Sequence, residues 1–186
     1  CTKASGYRSG SNPRQYAPSK SAQMAWWSER IVRSLLLKSN FFNATPVTGL
    51  LINEVSASSS RAVDDFNEHE DWIEIYNSSG SQVALAGLYI TDDIRQKAKY
   101  RLPDSDLLKI SPGGYKVLWA DASPLQGASH LPFKLNKSGE SIFLIQLIGT
   151  DTLVLASLTY PAQLDGYSYA RIPDRTGSFT TTSKPT

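Results

Sequence analysis

The chain has 186 residues, of which 40% are hydrophobic and 19% are charged. This length and composition are typical of one globular domain with a short additional segment, and no apolar run approaches the ~18–20 residues that a membrane-spanning helix needs. The single cysteine, Cys1, excludes an internal disulfide.

The net charge of +2 is unevenly distributed along the chain. Residues 1–50 carry seven basic side chains and one acidic side chain, a net charge of +6, whereas residues 51–186 carry twelve basic and sixteen acidic side chains, a net charge of −4. Residues 51–186 are therefore not expected to bind the phosphate backbone of a nucleic acid. The basic charges of the first segment are spread out, which is typical of a solvated linker; contact with nucleic acid or anionic lipid is the alternative.

Residues 1–18 predict a flexible tether. The stretch TKASGYRSGSNPRQYAPS after Cys1 is polar and contains Gly, Ser and Pro, a composition that does not form a core. A cysteine ahead of such a tether is typical of a bacterial lipoprotein after its signal peptide has been removed. We therefore expect lipid attachment at Cys1 and an extracytoplasmic location, at the outer membrane or the cell surface. The alternative is that the chain is a fragment of a longer protein.

One amphipathic helix is predicted over residues 19–40, within a helix-and-linker segment that spans residues 19–46. Its apolar side chains recur at helical spacing and form one stripe, at Met24, Trp27, Ile31 and Leu35. A helix with such a stripe needs a surface to pack against. The candidates are the domain that follows, a partner protein and a bilayer surface.

After residue 47 the pattern changes to short runs rich in β-branched and aromatic residues, separated by turn sequences such as Ser-Pro-Gly-Gly. The predicted strands span residues 50–57, 71–77, 83–91, 98–103, 115–121, 132–136, 140–147, 153–160 and 167–173. Their regular spacing, with no helical periodicity between them, predicts an all-β antiparallel sandwich or barrel.

Several motifs along these strands resemble the lamin-tail domain family. They are, in order, LLINEV, DWIEIYN, QVALAGLYITDD, KYRLPD, ISPGGYKVLWAD, FKLNKSGESIFLI and SLTYPAQLDGYSYARIPDRTGSFT. The resemblance covers about residues 48–186. It implies an immunoglobulin-like β-sandwich over residues 47–186 that binds partners or supports a structure and has no known catalytic residues.

The chain departs from nuclear lamins because one short helix without sustained heptads cannot form their coiled-coil rod. It is more similar to the bacterial lamin-tail domains, which occur in secreted, surface-attached or envelope proteins. This context agrees with the lipoprotein interpretation of Cys1.

An acidic loop at DDFNEHED (residues 64–71) is a candidate cation site built from carboxylate oxygens, with calcium as one occupant. Its first candidate ligands are Asp64, Glu68 and Glu70. The spacing matches neither an EF-hand loop nor a zinc-binding helix. The favoured interpretation is a solvated acidic loop, so no metal is expected.

The stretch RQKAKYR (95–101) places four basic residues at alternate positions of a predicted strand, at Arg95, Lys97, Lys99 and Arg101. On one face of a strand they would form a basic ridge able to contact nucleic acid. The favoured interpretation is an edge strand protected by charge. Just before them, Asp92 and Asp93 are expected to end a strand and cap the following turn.

No catalytic constellation is recognisable. His130 has no evident partner in its own stretch, and the chain has no nucleophile elbow, phosphate-binding glycine loop or Cys/His ligand spacing. The sequence therefore predicts a non-catalytic module without cofactors. Its expected partners are proteins of an envelope or surface complex, and the membrane through Cys1. The alternative is a cation- or carbohydrate-dependent surface-binding domain of a larger secreted protein; DNA binding is a further alternative.

Overall fold

A computed structural model of the chain describes residues 45–185. Cys1, the tether predicted over 1–18 and the helix predicted over 19–40 lie outside the described residues and stay predictions. Between residues 45 and 185, no helix is long and apolar enough to cross a membrane.

The described chain is built from strands and two short 3-10 helices. The strands are β1 Leu50–Ser56, β2 Trp72–Asn77, β3 Val83–Ala84, β4 Tyr89–Thr91, β5 Tyr100–Arg101, β6 Lys109–Ile110, β7 Tyr115–Trp119, β8 Gly139–Ile148, β9 Asp151–Pro161, β10 Ser168–Ile172 and β11 Ser178–Thr182. The 3-10 helices span Ile94–Gln96 and Asp106–Leu108.

Two antiparallel sheets form the body of the domain. One sheet has five strands in the order β11-β10-β1-β2-β7, and the other has four in the order β5-β4-β8-β9, while β3 and β6 form a separate pair. The predicted all-β antiparallel class is therefore confirmed. Strand β1, the first of the described strands, lies at the centre of the five-stranded sheet.

The core lies between the two sheets because each contributes a row of apolar side chains. Ile73, Ile75 and Leu118 belong to β2 and β7, and they share one buried cluster with Ile142 and Leu144 of β8. All five are completely buried. Burial of each such side chain contributes roughly 1.5–3 kcal/mol. Trp72 is also buried, whereas Trp119 is only half-buried.

The structure corrects several predicted strands. The strand predicted over 83–91 is divided into β3 and β4, because the chain turns at Leu85, where the Leu88 amide donates to the Leu85 carbonyl oxygen at 3.0 Å. Gly87 adopts a positive φ of 80° in this turn, a conformation that glycine adopts at little cost. The strand predicted over 98–103 shortens to the two residues of β5.

No strand forms over 132–136, where a single bridge joins Asp121 and Lys134. Strands β6 and β11, in contrast, form without having been predicted from the sequence. Strand β11 lies at the edge of its sheet and is rich in threonine. Its sequence therefore lacks the clear alternation of apolar and polar residues that predicts a strand.

Candidate functional site

The loop between β1 and β2 places the predicted cation ligands in different environments. Asp64 is buried, and its Oδ1 accepts hydrogen bonds from the backbone amides of Phe66 and Glu68, both at 2.9 Å. The Glu68 carboxylate accepts a hydrogen bond from the Gln126 side chain at 3.0 Å. Glu70 accepts one from Lys134, also at 3.0 Å. The side chains of Glu68 and Glu70 therefore form hydrogen bonds with Gln126 and Lys134, respectively.

The same loop brings two aspartates to His130. One ligand atom each from Asp64, Asp65 and His130 lies within 4.8 Å of the others. Only Asp64 of this group was a candidate from the sequence. The sequence does not distinguish Asp65 from its equally acidic neighbours in the loop, nor does it identify His130, whose partners are distant along the chain.

His130 is held between two carboxylates. Its ring is 1% exposed; Nδ1 contacts the buried Asp121 carboxylate, and Nε2 lies 2.9 Å from Asp65 Oδ1. The Phe66 ring packs edge-on against the imidazole with 5.7 Å between centroids. Burial opposes the charged form, but the hydrogen bonds to Asp121 and Asp65 outweigh it, so the pKa of His130 is raised. The hydrogen bond with His130 in turn lowers the pKa of Asp65.

Two chain segments position this histidine. Strand β7 ends at Trp119, two residues before Asp121, and the returning segment runs beside it, with the Leu131 amide donating to the Trp119 carbonyl oxygen at 2.7 Å. The backbone amide of Ser123 donates to Asp121 Oδ1 at 2.9 Å and orients the carboxylate. The imidazole is therefore fixed by backbone pairing as well as by its acidic partners.

A second buried polar cluster is formed by the motif residues of β1, β2 and the β10–β11 loop. Glu54 and Glu74 are opposite each other in the sheet, and the pairing register shifts between Ile52 and Glu54, which leaves Asn53 as the extra residue of a bulge. The Asn53 side-chain amide donates to Glu74 at 2.8 Å and to Asp174 at 2.9 Å. Its oxygen accepts from the Arg175 amide at 3.1 Å.

Burial raises the pKa of Glu74 to about 7. The hydrogen bond from Asn53 lowers this pKa, whereas the negative charges of the nearby Glu54 and Asp174 raise it further. The Tyr115 hydroxyl donates to the remaining oxygen of Asp174. This network joins four segments of the chain, at Asn53, Glu74, Tyr115 and Asp174. Its carboxylates Glu54 and Glu74 are buried, so its chemistry is that of a structural support.

The predicted basic ridge does not form on a strand. Arg95 lies in the first 3-10 helix and Lys97 caps its end, whereas Arg101 belongs to β5. Arg95 donates from Nε and Nη2 to the two oxygens of Asp93, both at 2.9 Å, and Lys99 lies 2.6 Å from Asp92. Two of the four cations are thus paired with the aspartates that precede them. The 3-10 helix at Ile94–Gln96 interrupts the predicted strand, so the alternating basic residues do not share one strand face. The spacing of the residues in the sequence does not reveal this helix.

The predicted role of the two aspartates as strand end and cap is confirmed. Strand β4 ends at Thr91, and Asp93 caps the 3-10 helix by accepting a hydrogen bond from the Arg95 amide at 2.9 Å. The hydrogen bonds from Arg95 hold the pKa of Asp93 well below its usual range.

The comparison with curated proteins returns no match for this chain. A family model does match, described as the Lamin Tail Domain, over residues 43–162. The matched range is about two thirds of the 186 residues and extends from the segment before β1 to the end of β9. It agrees with the antiparallel sandwich, and the chain belongs to the lamin tail domain family, whose immunoglobulin-like fold is a non-enzymatic interaction or structural module.

Proposed function

We propose that this protein is a non-catalytic protein-interaction module of a cell-envelope or surface assembly, anchored through lipid on Cys1. The family supports the interaction role, since its immunoglobulin-like domain is an interaction or structural module. The polar tether sequence after Cys1 supports the anchor. The partner class is a protein that presents an extended segment.

The observation that carries this proposal is the long edge strand β9. It has eleven residues and pairs with β8 on one side, and among residues 45–185 no strand pairs with its other side. Asp151 is its single charged residue. Leu153 and Val154 are 37% and 43% exposed.

Monomeric proteins protect such edges with charges, prolines or short strands, because an open edge pairs with other chains. Strand β9 has a proline only at its last residue. An edge of this length is suited to strand addition, in which main-chain hydrogen bonds provide affinity and alternate side chains provide specificity. The docking strand would extend the four-stranded sheet beyond β9.

The docking test uses a photo-crosslinking amino acid placed at position 154 of the full chain in its native host. A single defined crosslinked protein is expected. The double variant Leu153→Lys/Val154→Lys, crosslinked from position 156, should lose that product because charge on the edge opposes strand pairing. Leu125→Lys is the matched control, since Leu125 is fully exposed and lies outside the strands. Crosslinking that persists in the double variant would exclude docking at β9.

The anchoring test is separate from the docking test. Intact mass of protein purified in detergent from the native host should show acyl chains on the peptide that begins at Cys1. The Cys1→Ser variant should move from the membrane fraction to the soluble fraction while its crosslinking at position 154 is retained with added partner. An unmodified Cys1 in the membrane-associated protein would refute the lipid anchor and leave the docking proposal intact.

A carbohydrate-binding role is the second candidate, favoured by a cavity of about 590 Å³ beside the Asn53 cluster. Tyr76 lines it together with Asp174 and Arg175, and the Tyr76 and Tyr115 rings lie 5.0 Å apart. Aromatic rings next to charged hydrogen-bonding groups are features that bind sugars. Titration of the protein with envelope-derived oligosaccharides should then shift the NMR signals of Tyr76 and Arg175 ahead of those of Val154.

A further inference from the structure

Asp64, Asp65 and His130 offer two oxygen ligands and one nitrogen ligand within 4.8 Å of one another. In a tetrahedral zinc site with bonds of about 2.0 Å, ligand atoms are about 3.3 Å apart. Asp65 Oδ1 lies 2.9 Å from His130 Nε2, so it would have to move slightly away from the ring. The Asp65 side chain is 70% exposed and can supply that movement without disturbing the core. Asp64 and His130 are buried and fixed.

Asp64 provides an independent indication of a ligand. Its side chain is more than nine-tenths buried, and while Oδ1 accepts two backbone hydrogen bonds, Oδ2 is enclosed and accepts none from the described residues. A buried acceptor without a partner costs roughly 1–3 kcal/mol, more when it is charged. A cation bound beside the carboxylate would satisfy this oxygen.

Asp121 completes the arrangement on the far side of the imidazole. Its carboxylate contacts His130 Nδ1, and its other oxygen is held by the Ser123 amide. Histidines that bind metals through one ring nitrogen usually donate the other N–H to a carboxylate, which fixes the tautomer and the ring orientation. With Nδ1 directed to Asp121, the Nε2 atom faces Asp65 and is the ligand atom.

We propose that Asp64, Asp65 and His130 Nε2 bind a divalent transition-metal cation of the Zn²⁺ class, with Asp121 orienting the imidazole. Three protein ligands leave a coordination position for water or for a side chain of a docked protein. Calcium is disfavoured, because it takes six to eight oxygen ligands and this group offers two carboxylates and a nitrogen. The site goes beyond the docking function and does not depend on it.

The test is calorimetric titration of the full metal-free chain with ZnCl₂ and, separately, with CaCl₂. Zinc is expected to bind with 1:1 stoichiometry and calcium to give no specific heat. The Cys1→Ser chain is titrated in parallel, because a thiol also binds zinc, and it should retain the 1:1 binding. Replacement of zinc by Co²⁺ should give visible absorption bands of a low-symmetry nitrogen–oxygen site.

Asp65→Asn is the decisive variant, because the exposed side chain can be changed without altering the core. It should weaken zinc binding at least tenfold, as should Asp64→Asn. The matched controls are Glu68→Gln and Glu70→Gln, which neutralise carboxylates of the same loop and should leave the affinity unchanged. Absence of zinc binding, or full affinity in Asp65→Asn, would overturn the proposal and leave the cluster as ion pairs around the buried His130.

Discussion

Glu74 illustrates how one buried carboxyl group couples the stability of the domain to pH. Its pKa is raised from 4.5 to about 7 by burial. Between pH 4.5 and about pH 7, Glu74 is therefore still protonated in the folded protein but already deprotonated in the unfolded chain. The stabilisation is therefore complete below about pH 4.5 and is lost as the pH rises through about 7.

The variant Glu74→Gln should remove this pH dependence, because the amide keeps an oxygen that can accept the Asn53 hydrogen bond and carries no charge. We expect it to be more stable than the parent protein by roughly 2–3 kcal/mol at pH 8 and nearly equal to it at pH 4.5. Urea unfolding at the two pH values measures the difference. Asp151→Asn, which neutralises an exposed carboxylate of β9, is the control and should show no such gain. Equal stability of Glu74→Gln and parent at pH 8 would contradict the assignment.

The side chains that the sequence located correctly are those whose role is set by near neighbours. Asp92 and Asp93, at the end of a strand and at a cap, follow from the apolar run before them and the turn after them. His130 does not, because its contact with Asp65 crosses 65 residues of sequence. The periodicity of a sequence does not show which loops pack against each other. The contacts of His130 with Asp65 and Asp121 could therefore not be predicted.

The β8–β9 hairpin depends on the conformation of its first residue. Gly139 has a φ of +98°, and a Cβ atom there would lie 2.7 Å from the Tyr160 carbonyl oxygen. Both the backbone angle and the close approach therefore require glycine.

Gly139→Ala should destabilise the domain by roughly 2 kcal/mol or more, the sum of an unfavourable backbone angle and a steric clash. Gly113→Ala is the control: its φ of +70° is also positive, but an added Cβ meets no atom within 4 Å. Its cost should stay near 1 kcal/mol. Thermal unfolding of the two variants separates the two effects, and equal losses would show that the clash is relieved by a backbone shift.

Longer strands were predicted well and shorter ones poorly, for a physical reason. Strands β1, β2 and β7 span five to seven residues and are rich in apolar and aromatic side chains, so they are visible in the sequence. Strands β3, β5 and β6 have two residues each and exist because the surrounding turns bring their backbones together. An apolar run such as 83–91 contains a tight turn at Gly87 that hydrophobicity alone does not distinguish from a strand.

The chain divides at residue 42, and the second unit, Asn43–Thr186, contains the complete described core. We predict that a protein consisting of residues 43–186 folds on its own and unfolds in one cooperative transition. Coincident urea transitions by far-UV circular dichroism and by tryptophan fluorescence would confirm this. Transitions that separate, or dye binding typical of a loosely packed state, would contradict it.

The adjacency of β1 and β10 has a consequence for the order of events during synthesis. Glu54 is paired with Ala170 across more than 100 residues of sequence, and β10 joins the central strand to the last strand, β11. Pairing over such separations slows folding, because the loop must close before the contacts form. While residues up to 172 are still inside the ribosome, strand β10 is missing and one side of β1 stays exposed. The five-stranded sheet can therefore be completed only after β10 and β11 have been synthesised and have left the ribosome.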